Sequence, residues 1–146
     1  MRARTLVNNN RPSSDFLPIL VADPNSANRR LVSNIITEEG YSVVTAQDGQ
    51  QACQILHSNN EFSAVVLEAV IPHVSGPELV RYMKGDERLK NIPVLVLTGS
   101  KSASFFCECF KCGASVILPE PFTVSQLQNL LHMLVNSEPA PDEVSH

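Results

Sequence analysis

Short apolar runs alternate along the chain with segments whose apolar residues recur at helical spacing. The apolar runs, which predict strands, cover residues 18–22, 41–46, 62–67, 92–97 and 115–118. The helical segments run from about residue 23 to 39, from 48, from 77 to Gly85, from 102 to 112 and from 123 to 135. Five strands that alternate with five helices predict an α/β fold.

Two of the strands are apolar on both faces, as central parallel strands covered by helices on each side are. They are Ala64–Leu67 and Ile92–Leu97. The predicted sheet is therefore parallel, with right-handed crossovers and helices on both faces. In such sheets the ligand crevice lies beyond the carboxyl ends of the strands. Those ends carry Asp23, Glu68, Thr98 and Glu120.

Two helices have a predicted buried face. In the first helix we place Ala27 and Leu31 on one face with Ile35 and Ile36, and Gly40 ends the helix. The last helix carries a leucine stripe, which we assign to the core and not to a dimer seam, because two heptads are too few for a coiled coil. The stripe consists of Leu127, Leu130, Leu131 and Leu134.

The ends of the chain differ in composition from its middle. Residues 1–17 are polar and aperiodic, which predicts a flexible tail, and the acidic residues 137–146 predict a second tail or a linker. Residues 18–136 form the single predicted domain, in a chain of 146 residues of which 43% are hydrophobic.

Charge and hydropathy exclude several classes of function. The net charge is −4, and no basic run is long enough to follow a phosphate backbone, so we expect no nucleic-acid partner. No apolar stretch approaches the roughly 18 to 20 residues that cross a bilayer, so we expect no membrane partner. Three of the four cysteines cluster, unlike a disulfide framework, which favours a cytoplasmic location.

Four motifs in order resemble those of response-regulator receiver domains. They are VADPNSANRR at 21–30, VVLEAVIPHVSG at 65–76, PVLVLTG at 93–99 and GASVILPEPF at 113–122. The resemblance covers about residues 18–136. It implies a flavodoxin-like (βα)5 doubly wound parallel sheet with strand order 2-1-3-4-5, and a role in two-component signal transduction and phosphorelay.

The resemblance also implies a phosphorylation site, from which this chain departs at three positions. Receivers accept a phosphoryl group on an Asp after the third strand, with magnesium held by that Asp and two acids after the first strand, and with a Thr or Ser and a Lys nearby. This sequence keeps Asp23 and Thr98. It has Pro24 at the second acid, Glu68 at the acceptor and Glu120 at the Lys.

Each departure weakens phosphoryl transfer. Pro24 removes a metal ligand. The extra methylene of Glu68 moves its carboxylate by roughly 1.5 Å, and a misplacement of a reacting group by about 1 Å can lower the rate about a hundredfold. Glu120 repels phosphate, where a Lys attracts it. We therefore predict a degenerate pseudo-receiver that is not an enzyme, has no cofactor and works as a phosphorylation-independent protein–protein interaction module.

The switching residue is altered as well. Receivers often carry an aromatic residue on the fifth strand that swings inward on phosphorylation, and here that position is Ile117. We expect the surface formed by the fourth helix, fifth strand and fifth helix to stay in one state and to bind a protein partner. A homodimer through this face remains open.

Alternatives remain at the same site. In one alternative the chain is a weakly phospho-accepting regulator that uses Glu68 or Asp23. In another, Glu68 stands in permanently for a phosphorylated residue. Asp23 and Glu68 are also weak candidates for a magnesium site, against the simpler interpretation that Asp23, Glu68 and Glu120 are solvated carboxylates. Lys101 is a candidate to reach across to them.

The cysteines allow a redox or metal sensor on the fourth helix. Cys109 and Cys112 share a helix face, whereas Cys107 points elsewhere and Cys53 completes no zinc spacing. Buried cysteines that pack the fourth helix against the sheet are the alternative. The four histidines form no metal-spaced pair and are assigned to the surface: His57, His73, His132 and His146.

Overall fold

A computed structural model describes residues 17–100 and 102–136. The strands are β1 (Ile19–Ala22), β2 (Val43–Ala46), β3 (Ala64–Glu68), β4 (Val94–Thr98) and β5 (Val116–Pro119). The helices are α1 (Ser26–Glu38), α2 (Gly49–Ser58), α3 (Gly76–Lys84), α4 (Ala103–Cys112) and α5 (Val124–Asn136). The predicted tail at residues 137–146 and Lys101 lie outside the described residues, and of the predicted tail at residues 1–17 only Leu17 is described.

All five strands are parallel and lie in the order β2-β1-β3-β4-β5. Each strand is followed by a helix, so every connection is a crossover. This confirms the predicted flavodoxin-like (βα)5 sheet and its strand order. The order reverses between β1 and β3, and the ends of these two strands therefore flank the crevice of the sheet.

Side-chain caps fix where the helices begin. Asn25 and Asp48 accept the backbone N–H groups of the residues three positions on, Asn28 and Gln51, at the starts of α1 and α2. At α3, Ser75 and Glu78 form a reciprocal capping box, in which each side chain accepts the other residue's backbone N–H. These caps satisfy N–H groups that have no partner within the helix.

The core has one layer on each side of the sheet. On one side, Leu20, Val65 and Val96 pack with apolar residues of α2, α3 and α4. On the other side, Val66 and Leu95 pack with α1 and α5. Because side chains alternate along a strand, the uninterrupted apolar runs of β3 and β4 supply both layers.

The predicted buried face of α1 is partly wrong. Val32, Ile35 and Ile36 are buried, whereas Leu31 is 50% exposed and Ala27 is also exposed. The sequence offers two overlapping apolar stripes, and the angle at which α1 packs on the sheet selects the one that contains Val32.

The leucine stripe of α5 packs in the core as predicted. Leu127, Leu131 and Leu134 are buried, and Leu130 packs against the same apolar layer with partial exposure. This stripe therefore holds α5 on the sheet and is not available as a dimer seam.

Lys84 at the end of α3 occupies a confined space beside α4. Its Nζ donates to the carbonyl oxygens of Lys90, at 2.9 Å, and Ile92, at 3.1 Å. Burial lowers the pKa of its ammonium group. Gly113 caps α4 with φ at 115°, and a Cβ at that position would lie 2.5 Å from Cγ of Lys84. The lysine stem thus fills the space that the glycine leaves.

Candidate functional site

The carboxyl edge of the sheet brings the four predicted site residues to one place. Asp23 follows β1, Glu68 and Thr98 end β3 and β4, and Glu120 follows β5. The strands are in register there, since Glu68 pairs with Leu97, and the N–H of Glu120 donates to the carbonyl of Thr98 at 2.8 Å. The charges of Asp23, Glu68 and Glu120 interact directly.

Asp23 is only 2% exposed. Its Oδ1 accepts the N–H of Asn25 at 2.8 Å, and its main-chain oxygen accepts Nη1 of Arg29 at 2.8 Å. Its Oδ2 is buried without a hydrogen-bond partner. The pKa of Asp23 is raised, chiefly by burial and further by the charge of Glu120, although the Asn25 hydrogen bond opposes this rise.

Pro24 and Thr98 complete the inner part of the site. Pro24 is exposed and has neither a side-chain oxygen nor an N–H group to offer a ligand. Thr98 is 1% exposed, and its Oγ1 accepts the N–H of Ser100 at 2.9 Å, which orients the hydroxyl toward its own loop.

Glu68 and Glu120 form a pair of neighbouring carboxyl groups. Burial, hydrogen bonding to the Glu120 side chain and the negative charges of Glu120 and Asp23 raise the pKa of Glu68 to about 8. At neutral pH Glu68 is therefore mostly protonated and neutral. Its proton relieves the repulsion that two adjacent ionised carboxylates would produce.

The interpretation that these groups are three solvated carboxylates is wrong. Asp23 is buried, and Glu68 has one buried oxygen, Oε1, without a hydrogen-bond partner. Packing by the strand ends and their loops excludes water more fully than an open rim would. The raised pKa of Glu68 also argues against a permanent negative charge that stands in for a phosphate.

The site offers a magnesium ion only part of a ligand set. Magnesium prefers oxygen ligands in octahedral geometry, and Pro24 supplies none at the position where receivers carry the second acid. Among residues 17–100 and 102–136, no group of three or more His, Cys, Asp or Glu side chains is arranged to hold a metal ion. No step is therefore assigned to a metal here.

Ile117 points from β5 toward the layer of α2, α3 and α4. It is partly exposed and packs against that layer, as Phe105 of α4 does. A branched aliphatic side chain in this position has no ring to move between an inward and an outward position. The structure is thus compatible with the predicted loss of the aromatic switch.

The cysteines pack largely as the simpler interpretation predicted. Cys109 and Cys112 are 1% and 8% exposed, Cys107 is exposed and Cys53 is half-buried, and all four are free thiols. Burial raises the pKa of Cys109, while Sγ of Cys112 accepts Nη2 of Arg81 at 2.9 Å. Cys109 and Cys112 thus contribute to the packing of α4.

The described histidines stand apart from this site. His57 and His73 are exposed, and His132 of α5 lies 2.7 Å from Oε1 of Glu39 at the end of α1. His146 lies outside the described residues.

Sequence reasoning missed two residues beside the site. Leu31 of α1 and Phe122, which follows β5, line a groove that also reaches Asp23 and Glu120. No signal in the sequence set Leu31 apart, because it stands four residues before Ile35 and fits a helical face with it, and only packing leaves it at the groove.

Comparisons with known proteins agree with the fold. Residues 19–132 match the family model described as "Response regulator receiver domain". The chain is 31% identical over 119 residues to chemotaxis protein CheY of Pseudomonas aeruginosa, covering 81% of this chain and 95% of that one. It is 35% identical to response regulator MprA of a Mycobacterium species, covering 86% of this chain but only 53% of the relative.

Solved structures agree as well. Chemotaxis protein CheY4 of Vibrio cholerae superposes with a TM-score of 0.76 at 27% identity, over 82% of this chain and 98% of that one. The receiver domain of sensor histidine kinase PA1611 from Pseudomonas aeruginosa, described with magnesium in its active-site cleft, has a TM-score of 0.77 at 23% identity over 84% of this chain and 99% of that one. From its sequence, topology and site position, the chain belongs to the family of response regulator receiver domains of two-component signalling.

Proposed function

We propose that this chain is a pseudo-receiver, which binds a protein partner in one fixed conformation and neither takes up phosphate nor catalyses a reaction. It has no resident cofactor, and any magnesium binding at Asp23 and Glu68 is weak. Its action is that of a phosphorylation-independent interaction module.

The observation that carries the proposal is the carboxyl pair of Glu68 and Glu120. A phosphoryl group would have to be attacked by Glu68, which is mostly protonated at neutral pH and so is a poor nucleophile. The incoming phosphate would also meet Glu120, which repels it. Electrostatics therefore oppose both the binding and the transfer of the group.

The neighbouring residues add to this obstacle. Asp23 has no second acid beside it, because Pro24 stands there. The magnesium that would neutralise a transferring phosphoryl group thus lacks part of its ligand set.

The proposed partner surface comprises α4, β5 and α5. Three large apolar side chains on these helices are half exposed, namely Phe110 at 53%, Val124 at 50% and Met133 at 54%. Aromatic and methionine side chains are enriched at protein interfaces. We propose that a protein partner covers part of this surface, and a second copy of the chain is the other occupant to test.

We also propose a cytoplasmic location. Within the described residues, the longest helices have 13 residues, and none is long and apolar enough to cross a membrane. The four cysteines are free thiols, the state that a reducing compartment maintains.

A phosphorylation assay tests the proposal. The protein is incubated with acetyl phosphate and Mg²⁺, and covalent phosphate is measured by intact mass. We expect no incorporation into the wild-type chain. The combined variant Pro24→Asp, Glu68→Asp and Glu120→Lys, which restores the acids and the lysine, should take up phosphate about a hundredfold faster than the upper limit that the assay sets for the wild-type chain.

Two results would contradict the proposal. Phosphate on the wild-type chain that disappears in Glu68→Gln would show a weakly phospho-accepting regulator. Failure of a folded combined variant to gain phosphate would show that these three residues are not what prevents transfer. Amide NMR spectra with beryllofluoride, a phosphoryl mimic, should agree, because Ile117 and α5 should not shift in the wild-type chain.

A further inference from the structure

A groove of about 440 Å³ runs between α1 and the segment that follows β5. Its walls are mostly apolar and include Leu31, Val32 and Phe122, and Leu31 is half exposed to it. Asp23 and Glu120 line the same groove. The groove thus joins an apolar passage to two acidic side chains, and its volume falls within the usual range for small-ligand sites.

Among the described residues, the charge of Arg29 acts on Asp23, but no cation forms an ion pair with the carboxylates of the groove. Asp23 is 98% buried, with a relative exposure of 2%, and its Oδ2 has no hydrogen-bond partner. Arg29, whose charge lowers the pKa of Asp23, donates its Nη1 to the main-chain oxygen of Asp23 and not to the carboxylate. Within the described part of the chain, no Lys, Arg or His forms an ion pair with Asp23 or Glu120.

An unpaired buried carboxylate costs free energy, which a bound cation recovers. Glu120 lines the same groove, and its negative charge acts on Asp23. A cation that enters the groove would pair with both carboxylates.

The walls indicate which kind of cation fits. A divalent metal ion held by one or two carboxylates keeps several waters, so it would use only the polar end of the groove and leave the apolar walls at Leu31 and Phe122 uncovered. An ammonium or guanidinium group on an aliphatic chain matches both parts, because its charged end pairs with carboxylates while its stem buries apolar area.

We propose that this groove binds a linear organic cation, with its ammonium or guanidinium group beside Asp23 and Glu120 and its aliphatic chain against Leu31 and Phe122. The ligand is a small aliphatic amine, and the lysine side chain of a bound protein shares its chemistry. The proposal concerns a ligand site and stands whether or not the chain accepts phosphate.

An amide NMR titration of the ¹⁵N-labelled full chain tests this site. The probes are 1,5-diaminopentane, Nα-acetyl-lysine methylamide and magnesium chloride, each against sodium chloride at the same ionic strength. We expect saturable shifts near Asp23, Leu31 and Phe122 with the diamine. Stronger binding of the lysine derivative would support the same chemistry and identify a protein side chain as the source.

Variants locate the binding. Glu120→Gln and Phe122→Ala should each weaken the diamine by about tenfold, the effect of one charge-assisted or well-packed contact. Both positions are partly exposed, so the fold should survive, which the spectra of the free variants verify. Glu38→Gln, an exposed carboxylate on α1, is the matched control and should leave the affinity unchanged.

Three outcomes would overturn the proposal. The first is shifts with the amines no larger than those with sodium chloride. The second is binding that Glu120→Gln and Phe122→Ala leave intact. The third is a magnesium chloride titration in which the ion causes the same shifts and displaces the diamine, since this would show that the groove is a metal site. None of these outcomes depends on the acetyl phosphate assay, so the two proposals fail or survive separately.

Discussion

Glu68 shows how the surroundings of a side chain determine its chemistry. In water this carboxyl group would be ionised at neutral pH, but here burial and the acids Glu120 and Asp23 raise its pKa to about 8. A group that could act as a nucleophile or a metal ligand instead becomes a hydrogen-bond donor to its neighbour. The raised pKa results from the burial of Glu68 and from its neighbour Glu120, and the residue type alone does not predict it.

This position makes stability depend on pH. The unfolded chain releases the proton of Glu68 near its ordinary pKa of 4.5, whereas the folded chain keeps it up to about pH 8. The folded state therefore binds more protons over this range, and the free energy of unfolding falls as pH rises through it. Urea unfolding should show a loss of about 2 kcal/mol between pH 5 and 8, less than the full shift implies, because solvent screens a half-buried group.

The variant Glu68→Gln isolates this contribution. It cannot titrate, so its free energy of unfolding should fall less over the same range and should exceed that of the wild-type chain at pH 8. Glu38→Gln removes an exposed carboxyl group and should keep the wild-type slope. Equal slopes for wild type and Glu68→Gln would show that Glu68 is already ionised at neutral pH.

At the scale of elements, α2 and the loop between β3 and α3 are fitted closely together. The N–H of Gly49, the first residue of α2, donates to the carbonyl of Pro72 at 3.0 Å. A Cβ on Gly49 would lie 1.9 Å from the carbonyl oxygen of Val74. This contact fixes the loop that follows Glu68, and hence the wall of the site on that side.

Alanine at two glycines tests this fit. Gly49→Ala must displace backbone and should lower the free energy of unfolding by about 2 kcal/mol or more. Gly85→Ala is the matched control, because a Cβ there meets its nearest neighbour, the main-chain oxygen of Arg81, at an ordinary 3.5 Å. It should change stability by less than about 1 kcal/mol. Denaturant unfolding measures the change in the free energy of unfolding for each variant. An equal change in the two variants would show that the loop moves to accommodate the new Cβ at little cost.

For the molecule as a whole, the two apolar layers bury the central strands most deeply. Every residue of β1 and β4 is buried, whereas β2 and β5, at the edges of the sheet, each have only one buried residue. Central strands have neighbours on both sides and helices on both faces, so opening them requires most of the fold to open.

Native-state hydrogen exchange should reflect this arrangement. We expect the slowest amides in β1, β3 and β4, exchanging only through global unfolding, and faster exchange in β2 and β5. The measurement is the exchange rate of each amide by NMR at low denaturant concentration. Amides of β5 that exchange as slowly as those of β4 would indicate that α4 and α5 protect this edge more than its exposure implies.

The sequence was sufficient for most of this architecture. Alternating apolar runs, helix caps and strands that are apolar on both faces each have a local cause, and the elements agreed with the structure to within a few residues. The face of α1 was different, because Leu31 and Val32 both fit a helical stripe and only packing against the sheet separates them.

The site was predictable in its members but not in its chemistry. The strand-end rule brought Asp23, Glu68, Thr98 and Glu120 together. Crowded acids alone indicate that one carboxyl pKa is raised, but burial depends on contacts between residues distant in sequence, so it could not be foreseen that Glu68 holds the proton or that an oxygen of Asp23 is unpaired. For the same reason the sequence does not show that position 49 has to be a glycine, although the backbone of Val74, 25 positions further along the chain, leaves no room for a Cβ there.

The fit between Lys84 and Gly113 has a consequence for how this chain can evolve. A larger residue at position 113 collides with the lysine stem, so position 84 has to shorten first. A shorter side chain at position 84, however, loses the hydrogen bonds that the ammonium group donates to the carbonyl oxygens of Lys90 and Ile92. A substitution at either position alone should therefore lower the free energy of unfolding. Lineages that descend from this chain should therefore inherit the two residues together.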